Sequence, residues 1–334
     1  YTINFQGYDS SVVEDSLEAR NINDELEKFY QKSKDKLKIF IINSDNYEKE
    51  SDGRGNQRYE FEYVGDKEEQ ICSPAGRSIQ IDENYLKRNP IQTCNGKAIS
   101  KLIDYDQNTL NILVPEQYKK YEKKIVKNYK ENFYFQKVTI DNYFRKNMNK
   151  PKNILKKDKL SIHIIYVKTN QSYFTYDSDT GNGKNQIIDP IAVIYTGGVD
   201  SSCIASMYAG DTVSGSIYFE DNSKKQGYAY RKVEALEQKL GIYQFNSVTN
   251  IYGQAASNLV IIRQKVMWQS AILLAVILCS IVFITIAVSG YYFSKQQRLL
   301  LEALWGYGYM SSIKEIILVL IGINLCTTAV VYVI

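Results

Sequence analysis

The sequence predicts an α+β domain, divided into two subdomains, followed by transmembrane α-helices. Helix-like and strand-like apolar patterns both occur before residue 254, which is typical of an α+β domain. The segment Val266–Phe293 has no Asp, Glu, Lys or Arg and is long enough to cross a hydrocarbon core of roughly 30 Å. A second uncharged segment, Ile316–Ile334, reaches the last residue. Since the sequence also begins with Tyr1 rather than Met, we expect a fragment of a longer multi-pass protein.

The first subdomain is assigned to residues 1–150. Apolar residues at helical spacing predict an amphipathic helix over Val13–Lys36, and the apolar run Leu37–Ile42 predicts a buried strand. Strict alternation over Arg58–Val64 predicts its hairpin partner. Ile79–Pro90 is predicted as a strand with a helical turn, and Thr109–Val114 as a strand. Pro115–Tyr129 is predicted as a charged helix opened by its proline. Phe133–Phe144 is predicted as an aromatic strand and Asn147–Lys159 as a polar connector between the subdomains.

The second subdomain is assigned to residues 151–253. Leu160–Lys168 alternates like a strand, and Tyr228–Lys239 is typical of a helix capped by Gly241. From Gln254 onward a helical pattern continues without a breaker into the apolar run, so residues 254–293 are predicted as one connecting and transmembrane helix. Residues 294–315 form the loop between the two apolar runs, and residues 316–334 form a second, truncated span.

Composition and charge argue against several classes of function. Residues 1–259 carry 36 basic and 35 acidic side chains, a balance that does not favour a nucleic-acid partner. The single histidine, His163, lies in a strand-like segment, and the five cysteines form no metal-binding pattern. Cys72 and Cys94 could pair outside the cell or remain separate thiols. We therefore predict no metal and no cofactor, and most His-dependent catalytic schemes are disfavoured.

Two loops resemble ligand-binding motifs but have simpler interpretations. Asp177–Gly183 resembles the start of a calcium loop, yet its twelfth position is Ile188 instead of a bidentate acid, which favours a hairpin turn. The segment Tyr195–Cys203, YTGGVDSSC, is close to the SGGxDS loop of ATP pyrophosphatases, in which backbone N–H groups bind pyrophosphate. Only about 60 soluble residues follow it, too few for such a nucleotide domain, so a strand-to-helix turn is preferred.

The loop Ser294–Glu315 combines charged and aromatic residues. Gln296–Trp305 is compatible with a short helix that has Arg298 and Glu302 one turn apart and ends before Gly306 and Gly308. Amphipathic aromatic residues such as those in this loop settle at the depth of lipid headgroups. From the residues alone, an ordinary interfacial loop and a coupling helix bound by a cytoplasmic partner are equally good interpretations.

The C-terminal arrangement resembles the FtsX/MacB-like permeases of ABC systems. The residues that occupy places similar to that family's "R…LLRALGAS"-like segment are Arg298, Leu300, Leu301, Ala303, Leu304, Gly306 and Tyr307. The stretch GYGYM and the segments IDENYLKRNPI, NTLNILVPEQYKKYE and FYFQKV are similar to the bacteriocin-associated integral membrane proteins. Two residues depart from the pattern, Glu302 at a place where a basic residue is common and Gly308 where a serine is common.

This resemblance implies a mechanical function, with no catalytic residue in this chain and hence no enzyme. It implies that residues 1–253 lie outside the cell, that the protein is a multi-pass protein of the cell membrane, and that a cytoplasmic ABC ATPase pushes on the coupling loop. The expected ATPase-binding residues are Arg298, Leu301, Glu302, Leu304, Trp305, Gly306, Tyr307 and Gly308. The expected substrate is a peptide such as a bacteriocin, for export, removal or immunity. The alternative is a membrane-anchored extracellular binding or sensor module without an ATPase, and whether two copies form a homodimer is open.

Overall fold

The computed structural model describes residues 1–4, 16–51, 57–209, 216–223, 227–242, 245, 247–308, 310, 314, 317 and 318. Contacts divide the chain into two compact units, Tyr1–Ala255 and Ala256–Ile334. The first unit is an α+β domain, as predicted. The second contains most of one long apolar helix.

The α+β domain is built on strands β1 to β12, which span Thr2–Asn4, Phe40–Asn43, Lys49–Ser51, Gln57–Tyr59, Ser78–Ile81, Thr109–Pro115, Ser161–Val167, Ser172–Phe174, Gln186–Ile188, Ile191–Ile194, Ile217–Tyr218 and Ser247–Thr249. Helices α1 to α8 span Leu17–Ser33, Lys67–Cys72, Glu83–Arg88, Glu122–Tyr134, Ile140–Asn147, Ser201–Ala209, Tyr228–Leu240 and Ile251–Leu304. The strands predicted at Leu37–Ile42, Thr109–Val114 and Leu160–Lys168 are confirmed as β2, β6 and β7, with shifted ends.

Eight strands form one mixed sheet in the order β12-β1-β11-β2-β5-β10-β6-β7. The pairs β5–β10 and β6–β7 are parallel, and the other neighbours are antiparallel. At one edge, β1 and β12 run antiparallel with Thr2 opposite Thr249. This pairing brings the start of β1 beside the end of β12.

The sheet does not follow the predicted division at residue 150. Strand β10 lies between β5 and β6, and β11 lies between β1 and β2, so strands from both sides of residue 150 interleave. Residues 1–255 accordingly form one compact unit rather than two subdomains. The polar segment Asn147–Lys159, predicted as a connector between subdomains, leads from α5 to the edge strand β7 of the same sheet.

Helices α1, α6 and α7 share one part of the core. The side chains of Leu26 and Phe29 on α1, Ile204 and Tyr208 on α6, and Val233 on α7 are buried together. Helix α1 begins at the N-cap Ser16, whose Oγ accepts a hydrogen bond from the backbone N–H of residue 19.

The segment Phe133–Phe144 is helical, and its prediction as a strand is wrong. It runs through the end of α4, a π-helical turn at Phe135–Thr139 and most of α5. Helix α4 buries Ile125, Tyr129 and Phe133, three residues at a spacing of four that lie on one helical face. This period explains the helix, whereas aromatic composition alone suggested a strand.

The hairpin strand predicted at Arg58–Val64 is shorter in the structure. Only Gln57–Tyr59 pairs, with Lys49–Ser51, and a 3₁₀ turn at Glu60–Tyr63 follows it. The alternation arises in part from this turn, which buries Phe61 between exposed glutamates.

Helix α8 extends over 54 residues from Ile251 to Leu304. Only Asn250 separates it from β12, so the continuous helix predicted from Gln254 into the apolar run is confirmed. The segment Leu259–Leu304 of α8 has the length and the mean hydropathy of a membrane span. Among the described residues, α8 is the one helix that meets both conditions. The second predicted span, Ile316–Ile334, lies outside the described residues except at positions 317 and 318.

Candidate functional site

A kink in α8 marks the start of the predicted coupling segment. Lys295 has non-helical backbone angles, φ −109° and ψ 16°, within an otherwise continuous helix. Lys295 is also the first charged residue after Lys265, so the kink coincides with the end of the uncharged run. The last turns of α8, from Gln296 to Leu304, are thereby set apart from the apolar part of the helix.

One ion pair lies on these last turns. Arg298 Nε donates to Glu302 Oε1 at 2.8 Å, one helical turn apart as the sequence predicts. The Arg298 side chain is 55% exposed, and an exposed pair of this kind stabilises a helix by about 0.5 kcal/mol or less. The pair therefore orients the two side chains but contributes little to the stability of the fold.

Gly306 ends α8 in a Schellman motif. The N–H of Gly306 donates to the carbonyl of Ala303 at 3.1 Å, and the N–H of Tyr307 donates to the carbonyl of Glu302 at 3.0 Å. Gly306 has φ +80°, a left-handed conformation that glycine adopts without steric cost. The predicted end of the helix at this glycine is confirmed, and Gly308 lies two residues beyond it.

Large apolar side chains surround this helix end. The exposed fractions are 56% for Leu301, 74% for Leu304, 79% for Trp305 and 58% for Tyr307. With about 100° between successive helical residues, Leu301 and Leu304 lie on one face and Arg298 and Glu302 on the adjacent face. A short amphipathic helix of this kind fits either a groove in a partner protein or the headgroup layer of a membrane.

The calcium-like loop is a hairpin turn between β8 and β9, as predicted. Its polar side chains bind the loop's own backbone. Asp177 Oδ1 accepts from the N–H of Asp179 at 2.9 Å, and Asn182 Oδ1 accepts from the N–H groups of Lys184 and Gln186. In the described part of the chain, no group of three or more His, Cys, Asp or Glu side chains is arranged to hold a metal ion.

The segment YTGGVDSSC is a strand-to-helix turn from β10 to α6, as predicted. Gly197 and Gly198 both have positive φ. The buried Asp200 carboxylate pairs with the Arg20 guanidinium and accepts a hydrogen bond from the N–H of Ser202.

The carbonyl side of this turn is held by a lysine. Lys137 Nζ donates to the carbonyls of Gly198, at 2.5 Å, and Gln107, at 2.7 Å. Partial burial lowers the pKa of Lys137. The charged groups around the loop are thus engaged with the chain itself.

The thiols of Cys72 and Cys94 are free, the first buried and the second exposed. The structure therefore shows two separate thiols, one of the two alternatives that the sequence left open. His163 lies on β7.

Sequence reasoning missed a cavity between the end of α1 and α3. It is lined by lysines from two parts of the chain about 50 residues apart, Lys34 and Lys38 on one side and Lys87 on the other. No motif links them, because the paired strands β2 and β5 bring these parts together.

Comparison with known proteins assigns no family to this chain. No family model matches it, and no curated protein or solved structure does. The likeness to the FtsX/MacB-like permeases therefore rests on the sequence motifs alone. The helical segment Gln296–Leu304, its glycine end and the long apolar part of α8 are the features that a functional proposal has to explain.

Proposed function

We propose that this chain is the permease subunit of an ABC-type system that acts on peptides such as bacteriocins. In this proposal the subunit hydrolyses nothing itself. A cytoplasmic ATPase moves the coupling helix, and the movement passes along α8 to the α+β domain on the outer side of the membrane. The result is export or removal of the peptide, or immunity to it.

The observation that carries the proposal is the continuity of α8. The helix begins one residue after β12 of the sheet and runs through the whole uncharged segment to the kink at Lys295, beyond which its last turns reach Leu304. Its uncharged part, Val266–Phe293, measures about 42 Å at 1.5 Å per residue, enough to cross the hydrocarbon core. A hydrogen-bonded helix transmits displacement along its axis better than a flexible linker does.

The coupling segment supports the contact with an ATPase. Arg298, Leu301, Glu302, Leu304 and Trp305 place charge and apolar surface on two adjacent helical faces. Gly306, Tyr307 and Gly308 end this helix at the point where a partner would hold it. An amphipathic helix bound in a groove is a recurrent form of protein recognition.

Photo-cross-linking tests this contact. Benzoylphenylalanine replaces Trp305 in cells, and the adduct is identified by mass spectrometry. A matched control carries the same group at Tyr63, an exposed aromatic residue of the α+β domain. An adduct with a P-loop ATPase from position 305 and not from position 63 supports the proposal, and its absence from position 305 counts against it.

Substitutions then test the geometry of the contact. We expect Arg298→Glu and Gly306→Leu to abolish co-purification of the ATPase, because the first reverses a charge and the second disfavours the left-handed end of the helix. Arg263→Glu, a charge reversal beyond the other end of the apolar run, serves as the control and leaves association intact. Equal association of all three variants would contradict the proposal.

Cysteine labelling tests the orientation. Cys94 is exposed on the α+β domain and reacts with a membrane-impermeant maleimide in intact cells if that domain lies outside. A Trp305→Cys variant in a Cys94→Ser background stays unlabelled until the cells are opened. The positive-inside rule gives weak support, since Lys295, Arg298 and Lys314 follow the span while Arg263 and Lys265 precede it.

A membrane-anchored binding or sensor module is the second candidate. It is favoured by the single candidate span found among the described residues. The same cross-linking experiment separates the two functions, because a sensor module has no ATPase at position 305.

A further inference from the structure

A basic cavity lies on the α+β domain, between the turn that follows α1 and helix α3. Its volume is about 460 Å³, and its cationic residues are Lys34, Lys38, Lys87 and Arg88. Two carboxylates, Asp35 and Glu220, also line it, and Asn84 lies between the two sides. The lining therefore carries two more positive than negative charges.

Arg88 is already fixed by its neighbours. Its Nη1 donates to Glu220 Oε2 at 2.6 Å, and its guanidinium lies 4.7 Å from the centre of the Phe40 ring. The interaction with Arg88 lowers the pKa of Glu220, which keeps that carboxylate charged. The Arg88–Glu220 pair is thus internally neutral, and the excess positive charge comes from the three lysines.

Two of these lysines are not held in ion pairs, although Lys38 adds to the effect of Arg88 in lowering the pKa of Glu220. In the described part of the chain, the ammonium groups of Lys34 and Lys38 take part in none of the ion pairs. Lys87 Nζ donates to Asn84 Oδ1 at 2.9 Å, a bond to a neutral acceptor. These three cations are available to an anionic group from outside.

The turn that carries Lys34 and Lys38 has a strained backbone. It is a π-helical turn, Lys34–Lys38, which ends with Lys38 at φ +52°. Among the described residues, the other non-glycine positions with positive φ are Tyr176 and four Asn or Asp residues, which tolerate this conformation best. A lysine held there, over a cavity, is the kind of backbone outlier that clusters at binding sites.

Asn84 of α3 holds this turn in place. Its Nδ2 donates to the carbonyl of Ile39 at 2.7 Å and to the carbonyl of Lys34 at 3.2 Å. One side chain thus bonds both ends of the turn and, through its oxygen, receives Lys87. The backbone positions that carry Lys34 and Lys38 are therefore fixed beside Lys87.

The space is larger than a single ion needs. A second cavity of about 110 Å³ shares Lys34, Asp35, Asn84 and Lys87 with the first, and its further lining includes three tyrosines and the carboxylates of Asp82 and Glu83. A water molecule takes up only about 30 Å³ of liquid volume. An occupant therefore needs a carboxylate at the lysine end and N–H donors farther along, and a peptide has both.

We propose that these two adjoining cavities together form a groove that binds an extended peptide segment through a carboxylate, with Lys34, Lys38 and Lys87 as the cationic contacts. The peptide can supply the carboxylate from an acidic side chain or from its C-terminus. Binding is reversible and involves no covalent step. The groove lies entirely within the α+β domain, so its occupancy does not depend on an ATPase.

Fluorescence anisotropy with a fluorescein-labelled pentaglutamate peptide tests the proposal. The full chain is reconstituted in phosphatidylcholine nanodiscs at low ionic strength, where charge contacts are least screened. We expect Lys34→Gln and Lys38→Gly each to raise the Kd about fivefold, since each removes one charge contact. Lys38→Gly keeps the left-handed turn, so it removes the ammonium without adding backbone strain.

Lys36→Gln is the matched control. Lys36 lies on the same turn and is exposed, but it does not line the cavity. Unchanged binding by this variant, together with the losses at positions 34 and 38, supports the groove. Equal losses in all three variants, or none at positions 34 and 38, would overturn it.

Inorganic phosphate separates a peptide site from a simple anion site. Inorganic phosphate is added as a competitor at the same concentration as the labelled peptide. If the peptide contacts the whole groove, it stays bound. If the site recognises only one anion, phosphate displaces the peptide. Displacement would overturn the assignment to a peptide. Because the assay contains no ATPase, its failure is distinct from failure of the permease proposal.

Discussion

Removal of the Arg20 side chain should lower the unfolding free energy of the protein, because Arg20 is the counter-ion of a buried carboxylate at the glycine-rich turn. The Arg20 guanidinium pairs with Asp200, contacts Asp24 at 3.3 Å and Asp141 at 3.9 Å, and lies over the Phe144 ring. The Asp200 side chain is fully buried, whereas that of Arg20 is 18% exposed. The substitution Arg20→Ala would therefore leave a carboxylate inside the protein without its main counter-ion.

The expected loss is about 3 kcal/mol of unfolding free energy, the lower end of the range for a broken buried pair, because Arg20 borders solvent. Asp200→Asn alone costs about 1 kcal/mol, since its amide oxygen still accepts from the N–H of Ser202. In the Arg20→Ala background the same substitution removes the unpaired charge. There we expect it to stabilise the protein, by about 1 kcal/mol.

Urea unfolding of the full chain in detergent micelles measures this double-mutant cycle. The near-ultraviolet circular dichroism of tyrosine is a suitable signal, because both tryptophans, Trp268 and Trp305, lie outside the α+β domain. The reasoning is refuted if Asp200→Asn destabilises the Arg20→Ala variant as much as it destabilises the parent, since the two residues would then be independent.

Three further predictions concern single positions. Gly198→Ala should cost roughly 1–3 kcal/mol more than Gly197→Ala in urea unfolding. A Cβ at position 198 would lie 2.8 Å from the carbonyl oxygen of Gln107, whereas the nearest atom to a Cβ at position 197 is 3.7 Å away. Equal losses would contradict this. Burial raises the pKa of Asp82 to about 6, so stability should fall by about 2 kcal/mol as the pH rises from about 4 to 6. Asp82→Asn should flatten that slope, and an unchanged slope would assign it to other groups. Gly306→Ala should weaken amide protection at the end of α8 about fivefold in hydrogen exchange, because a left-handed alanine costs about 1 kcal/mol, while Gly306→Asn should weaken it less. Equal protection in all three forms would contradict the Schellman assignment.

The sequence predicts those elements whose apolar period is strong. The apolar run at Leu37–Ile42 and the alternation at Leu160–Lys168 correspond to strands, and the uninterrupted pattern after Gln254 corresponds to α8. The end of α8 at Gly306 was predictable because only glycine adopts a left-handed conformation without cost. Each of these inferences depends on local physical chemistry.

Features set by distant parts of the chain were not predictable. The interleaving of β10 between β5 and β6 depends on hydrogen bonds between strands that lie about 80 to 110 residues apart, and it removes the division at residue 150. The basic groove likewise depends on the meeting of α1 and α3. The helical segment Phe133–Phe144 is a different case, since its spacing of four was visible and its aromatic composition was given too much weight.

The pairing of Thr2 with Thr249 places the two ends of the α+β domain side by side, about 5 Å apart at their Cα atoms. A domain whose first and last strands are neighbours can be inserted into another protein as a unit, because its insertion does not force the flanking segments apart. Joining these ends by a short linker should permit circular permutation at little entropic cost. The whole domain could then be exchanged for another without altering the apolar part of α8.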